Sequence, residues 1–94
     1  MISRELENIL IAILQQHDAS RIGIFGSHVR GEAKPGSDLD VLVDFKKTPS
    51  LLSLVRIQRE LSEALGIKVD LLTEGAICPL LIDRIKAELR IIYQ

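Results

Sequence analysis

One cysteine, no long apolar run and almost no charge imbalance set the first limits on this chain. A lone cysteine cannot form an internal disulfide, and Cys78 lies between Ile77 and Pro79. That apolar setting predicts a packed thiol in a reducing compartment. Basic and acidic residues number 12 and 13 and interleave along the chain, for a net charge of -1. No basic stripe offers the electrostatic footprint of a dedicated nucleic-acid binder. No apolar stretch approaches the roughly 20 residues needed to cross a bilayer, and the N-terminus lacks the basic segment, apolar run and small-residue cleavage site of a signal peptide. The chain therefore reads as cytoplasmic, with no membrane partner. Internal repeats, linkers and low-complexity tracts are also missing.

What is there is an ordinary globular composition, 47% hydrophobic and 27% charged in 94 residues. Disordered, collagen-like and coiled-coil classes are thereby excluded. The length fits a single domain, 1–94, with a modest core that homo- or hetero-oligomerisation would reinforce. Ile2, Leu6, Ile9, Leu10 and Ile13 recur at helical spacing and predict a helix from Ile2 to about Gln16. Ile11 falls nearly opposite that stripe, either as a stray surface residue or as part of a second buried face against another chain. Arg21 to Phe25 reads as a first strand. Gly26 to Ser37, with three glycines and Pro35, reads as turn and loop around a helical turn. Leu39 through Phe45 reads as a second strand, after which Thr48 is expected to cap a helix with Pro49 in its first turn. Leu51, Leu54, Ile57, Leu61 and Leu65 form one arc of that helix, and Gly66 stands at its end. Ile67 to Leu72 alternates as a third strand. A final amphipathic helix begins near Pro79, with Leu81, Ile82, Ile85 and Leu89 aligned, and residues 90–94 either extend it or add an edge strand. The order implies an α/β fold: a three-stranded mixed sheet, helices mainly on one face, the other face free for a site.

The informative stretch runs from Phe25 through Gly26, Ser27, His28, Val29, Arg30 and Gly31, then after a loop to Ser37, Asp38, Leu39 and Asp40. Aspartates two positions apart on a strand point to one side of the sheet, since side chains alternate. Leu39, Val41 and Val43 then face the helices. By the same parity Ile67, Val69 and Leu71 face the core and Asp70 emerges on the polar side. Three ionised carboxylates so gathered repel, by roughly 4 kcal/mol for a pair at about 4 Å and an effective dielectric near 20. A cation among them resolves this, and with no Cys or His cluster nearby the all-oxygen donors favour a hard ion such as Mg²⁺, whose shell is completed by water and substrate phosphates. Gly26 directly after a strand lets backbone amides approach a phosphate, and Ser27 adds a hydroxyl. Arg30 either reaches a phosphate or binds an acidic residue of the loop. Taken singly each feature is weak: Gly26-Ser27 suits a plain turn, and Asp38 or Ser37 suits local backbone bonding at a strand's start. Their joint order and shared face carry the reading.

The run Gly26-Ser27, ten residues, then Asp38-Leu39-Asp40 resembles the signature of the nucleotidyltransferase superfamily related to DNA polymerase β, with Asp70 at the position of its third carboxylate. Gly31 after Arg30, Ser37 before Asp38 and the short length resemble the minimal nucleotidyltransferase (MNT) group, which includes antitoxins paired with HEPN-domain toxins. The resemblance covers nearly the whole chain. It implies a nucleotidyltransferase fold with sheet order 1-2-3, Asp38, Asp40 and Asp70 as catalytic and metal-binding residues for two Mg²⁺ ions, and Gly26, Ser27, Arg30 and Ser37 at the nucleotide. Asp70 would also orient or deprotonate the acceptor hydroxyl. For antitoxins of the group it implies AMP transfer from ATP to a tyrosine of the HEPN partner, silencing the toxin. Transfer to a small molecule or an RNA end, and neutralisation by binding alone, are the competing readings. His28 is expected to face solvent, His17 to complement the end of the first helix, Lys68 to pair with Asp70 or approach phosphates, and Asp44 to be solvated.

Overall fold

A computed structural model describes residues 3–32, Lys34 and residues 36–94; the expectations placed on Ile2 and Pro35 fall outside it. The first helix, α1 (Arg4–Gln16), opens on Ser3, whose side chain accepts from the Leu6 N–H. That bond satisfies one of the helix's otherwise unpaired donors. Leu10 and Leu14 are fully buried, with Leu6, Ile11 and Ile13 packed beside them. Ile11 thus belongs to the core margin, and Ile9, expected inside, is turned outward. The buried stripe is thus centred on Leu10 and Leu14.

The extra strand is the C-terminal segment. The strands are β1 (Ala19–Phe25), β2 (Leu39–Phe45), β3 (Val69–Leu72) and β4 (Arg90–Tyr93), in the order β3-β2-β1-β4. β1 is antiparallel to both β2 and β4, and β2 is parallel to β3. The expected three-stranded sheet of order 1-2-3 is therefore corrected to a four-stranded mixed sheet, with residues 90–93 as an edge strand rather than a helix extension. Gly23 makes room for it, since a Cβ there would sit 2.6 Å from Leu89 Cδ1. Ile92 and Tyr93 then pack against the core, and Arg90 reaches Glu7 of α1 at 3.0 Å.

Leu39, Val41, Val43 and Val69 are fully buried, as alternation requires, beneath α1 and the third helix. Between β1 and β2 a single turn, α2 (Ser27–Arg30), closes on Gly31. The third helix, α3 (Leu51–Leu65), is capped by Ser50, which accepts from the Ser53 N–H at 3.2 Å, so neither Thr48 nor Pro49 takes the expected part. Leu51 is consequently in the first turn and exposed, while Ile57, Leu61 and Leu65 are buried. Gly66 ends the helix with φ 72, the left-handed conformation glycine adopts without cost. Side chains of α3 also finish the β3 edge: Ser62 Oγ accepts from Val69 N–H and Gln58 Oε1 from Leu71 N–H, each at 2.9 Å. Those bonds remove donors that would otherwise invite strand pairing.

The last helix, α4 (Pro79–Glu88), has no buried residue. With Phe25, Gly26 and Asp40 it lines a recess. Cys78 immediately precedes α4 and is exposed, against the expectation of a packed thiol: its apolar sequence neighbours do not fold over it. Among the described residues no helix is long and apolar enough to cross a membrane.

Candidate active site

Two neighbouring strands, β2 and β3, deliver the carboxylates. Antiparallel pairing makes Phe25 the Cα partner of Asp40, and the parallel β2–β3 register places Asp40 opposite Asp70. Asp38, one residue before β2, shares the parity of Asp40. Its carboxylate lies 3.7 Å from Lys68 Nζ, so Lys68 pairs with Asp38 and not with Asp70.

The corner after β1 is built around Asp40. Gly26 has φ 82 and ψ -155, and a Cβ added there would collide with the Asp40 carboxylate. Only glycine satisfies both the backbone angle and the close approach. Its carbonyl accepts from the Val29 and Arg30 N–H groups at 3.1 Å, which starts α2, and the Ser27 carbonyl accepts from Glu32 N–H at 2.9 Å. Gly26 and Ser27 are thereby held beside Asp40.

Other expected site residues are already engaged. Arg30 Nη1 lies 3.1 and 3.0 Å from the two oxygens of Glu88, and its Nε donates to Glu32 at 3.2 Å. Of its two readings, the structure adopts acidic pairing, and one partner comes from α4 rather than the loop. Hydrogen bonds donated to Glu88, then to Glu32, push the guanidinium pKa above its ordinary value. Ser37 Oγ accepts from Lys34 N–H at 2.8 Å and serves as a loop brace. His28 Nε2 stands 3.5 Å from the Ser37 carbonyl, turned across the loop instead of out to solvent. His17 sits at the end of α1 as expected and meets Glu60 of α3 at 3.1 Å. Asp44, expected to be solvated, is paired with Arg21 at 2.7 Å.

Burial raises the pKa of Asp40 above the ordinary carboxylate range, and the charges of Asp70 and then Asp38 raise it further; His28 and Arg30 act in the opposite sense. The repulsion expected from the sequence is thus present. Among the described residues no three acidic, imidazole or thiol groups close into a metal cage. A hard divalent ion needs none, since it commonly takes one or two carboxylates and fills its shell with water and phosphate oxygens. The donor set, all anionic oxygen with a mutual repulsion that Lys68, His28 and Arg30 offset only in part, fits such a cation.

Beside Asp40 opens a recess of ≈ 270 Å³ lined by Phe25, Gly26, Arg30, Leu81, Arg84, Ile85 and Glu88. Arg84 and Glu88 were not legible as site residues, because they lie on a helix more than forty residues from the aspartates in β2 and carry no motif. A second recess, ≈ 210 Å³, lies at the far end of β2 between Asp44 and Glu74. Its carboxylates are committed to Arg21 and Lys86, the latter at 2.6 Å from Glu74, so we place the site at the first recess.

A mixed sheet that gathers carboxylates beside a glycine-serine corner is the frame of enzymes that transfer nucleotidyl groups. The family described as nucleotidyltransferase domain matches residues 5–92, and the chain belongs to that family. A Methanocaldococcus jannaschii protein, provisionally named a protein adenylyltransferase, is 50% identical over 84 residues, covering 89% of this chain and 90% of that protein. The protein adenylyltransferase MntA of Thermococcus cleftensis is 43% identical over 77 residues, 78% of each chain. In a solved complex of a tri-AMPylated Shewanella oneidensis HEPN toxin with MNT antitoxin, the matching chain gives a TM-score of 0.80 at 20% identity, over 98% of this chain and 72% of that one. At that identity the likeness is one of fold.

Proposed function

We propose that this nucleotidyltransferase moves AMP from ATP onto a tyrosine hydroxyl of a HEPN-type toxin and thereby acts as its antitoxin. The observation that carries the chemistry is the register that sets Asp70 against Asp40 beside the Gly26 corner. The names of the two relatives support a protein acceptor, and the fold shared with an MNT antitoxin supports the partner class.

Asp38, Asp40 and Asp70 would hold Mg²⁺, and two bound ions would lower the pKa of the attacking hydroxyl and neutralise charge on the departing pyrophosphate. The Ser27 hydroxyl and the opening N–H groups of α2 grip phosphate oxygens, while the N–H of Gly26 itself is given to Glu88. Asp70 orients the acceptor hydroxyl and takes its proton. The hydroxyl oxygen bonds to the α-phosphorus, the bridging bond to the β-phosphate breaks, and pyrophosphate leaves. Leu81, at the start of α4, lines the recess and is exposed, as is its neighbour Leu80, and an incoming partner surface would cover them.

The test is to incubate the protein with Mg²⁺, α-labelled ATP and a lysate of its host, comparing wild type with Asp38→Asn. Label on one discrete protein, dependent on Asp38, is the expected result. Label on RNA or a small molecule would replace the acceptor assignment. No label on any acceptor, with any of the four triphosphates, would leave a module that acts by binding alone.

A further inference from the structure

We infer that Glu88 is a positioning residue for the phosphate corner, an inference resting on the reading of Gly26-Ser27 as the group that grips the triphosphate. Glu88 ends α4, yet its Oε1 accepts from the Gly26 N–H at 3.1 Å, across 62 positions of chain. The same oxygen lies 3.1 Å from Arg30 Nη1, with Oε2 at 3.0 Å. One carboxylate therefore ties both ends of α2: the corner before it and the arginine that closes it.

The corner is clamped from two directions. On its Cα side it is pressed against the Asp40 carboxylate, and on its amide side it is bonded to Glu88. Without the second bond the Gly26 N–H has no fixed partner and its orientation is loosened, because glycine imposes little barrier at this angle. Ser27 and the N–H groups after it would then lose their fixed relation to Asp40. Glu88 and Glu32 share the Arg30 guanidinium, which makes Arg30 a strut within the protein and offsets part of the repulsion between the Glu88 carboxylate and a phosphate. The position of the substrate-gripping corner is thus set from the C-terminal helix.

Glu88→Gln and Glu88→Met separate this role from a charge effect, since both are uncharged and similar in length but only Gln offers an oxygen to Gly26. Binding of a non-hydrolysable ATP analogue with Mg²⁺ is measured by titration calorimetry for wild type and both variants. Glu88→Gln is expected to bind about tenfold more tightly than Glu88→Met, the effect of about one part-buried hydrogen bond. Equal affinities, or tighter binding by Glu88→Met, would overturn the inference; the latter would mean that Glu88 competes with phosphate for the corner. A second reading needs only the Gln variant: the Gly26 amide proton should move upfield when a carboxylate acceptor becomes an amide, and an unmoved resonance overturns the inference as well. Absence of analogue binding by the wild type would instead remove the phosphate-corner reading on which it rests.

Discussion

At the scale of single residues, the site stores repulsion in Asp40. Its folded pKa is raised, so the stabilising effect of its protonated form is fully present below the unfolded pKa and is lost as pH rises through the folded value. At neutral pH the metal-free chain is therefore destabilised by this carboxylate. Asp40→Asn is expected to raise the thermal midpoint in chelator at pH 7, with the gain shrinking toward pH 4; adding Mg²⁺ should raise the midpoint of the wild type and leave the variant unmoved. An Asn variant no more stable than wild type at pH 7 would contradict the account. The aspartates and the Gly26-Ser27 corner were legible in the sequence because spacing and strand parity suffice to place them. Arg30 was legible only as a choice between partners. Glu88, which settles that choice, carries no local signal, because the bond depends on how α4 returns to the sheet.

Among the elements, periodicity identified α1, α3 and the first three strands, whose apolar residues face one core. It failed where burial is slight or the segment short. β4 has four residues and follows α4 with only Leu89 between them, so alternation could not be told from one more helical turn. Its tie to α1 is the pair of Arg90 with Glu7. α4 was expected to bury an apolar stripe, yet polar ties hold it: Glu88 to Arg30 and Gly26, and Lys86 to Glu74. The start of α3 was misplaced by two residues because Thr48, Pro49 and Ser50 all carry cap chemistry. Ser50→Ala is expected to cost about 1 kcal/mol in chemical denaturation, and Thr48→Ala close to nothing. The reverse order would restore the sequence-based placement of the cap.

For the whole molecule, the size of the recess bears on the acceptor. At ≈ 270 Å³ it is smaller than the roughly 300–1,000 Å³ typical of small-molecule sites, so a nucleotide there lies open on one side. The exposed Leu81 lines that recess and its neighbour Leu80 is exposed too, and Leu51, Leu52 and Val55 form a second exposed apolar group on α3. On the proposed reading, a second protein that carries the target hydroxyl would close the site as it docks. The most direct measurement pairs two labels. The protein is incubated with Mg²⁺ and its acceptor, once with α-labelled ATP and once with γ-labelled ATP. Nucleotidyl transfer predicts that the α-label enters the acceptor, that the γ-label leaves as pyrophosphate, and that Asp38→Asn and Asp40→Asn abolish both. Incorporation of the γ-label, or α-label transfer that survives loss of both aspartates, would contradict the central claim that these carboxylates and the Gly26 corner carry out nucleotidyl transfer.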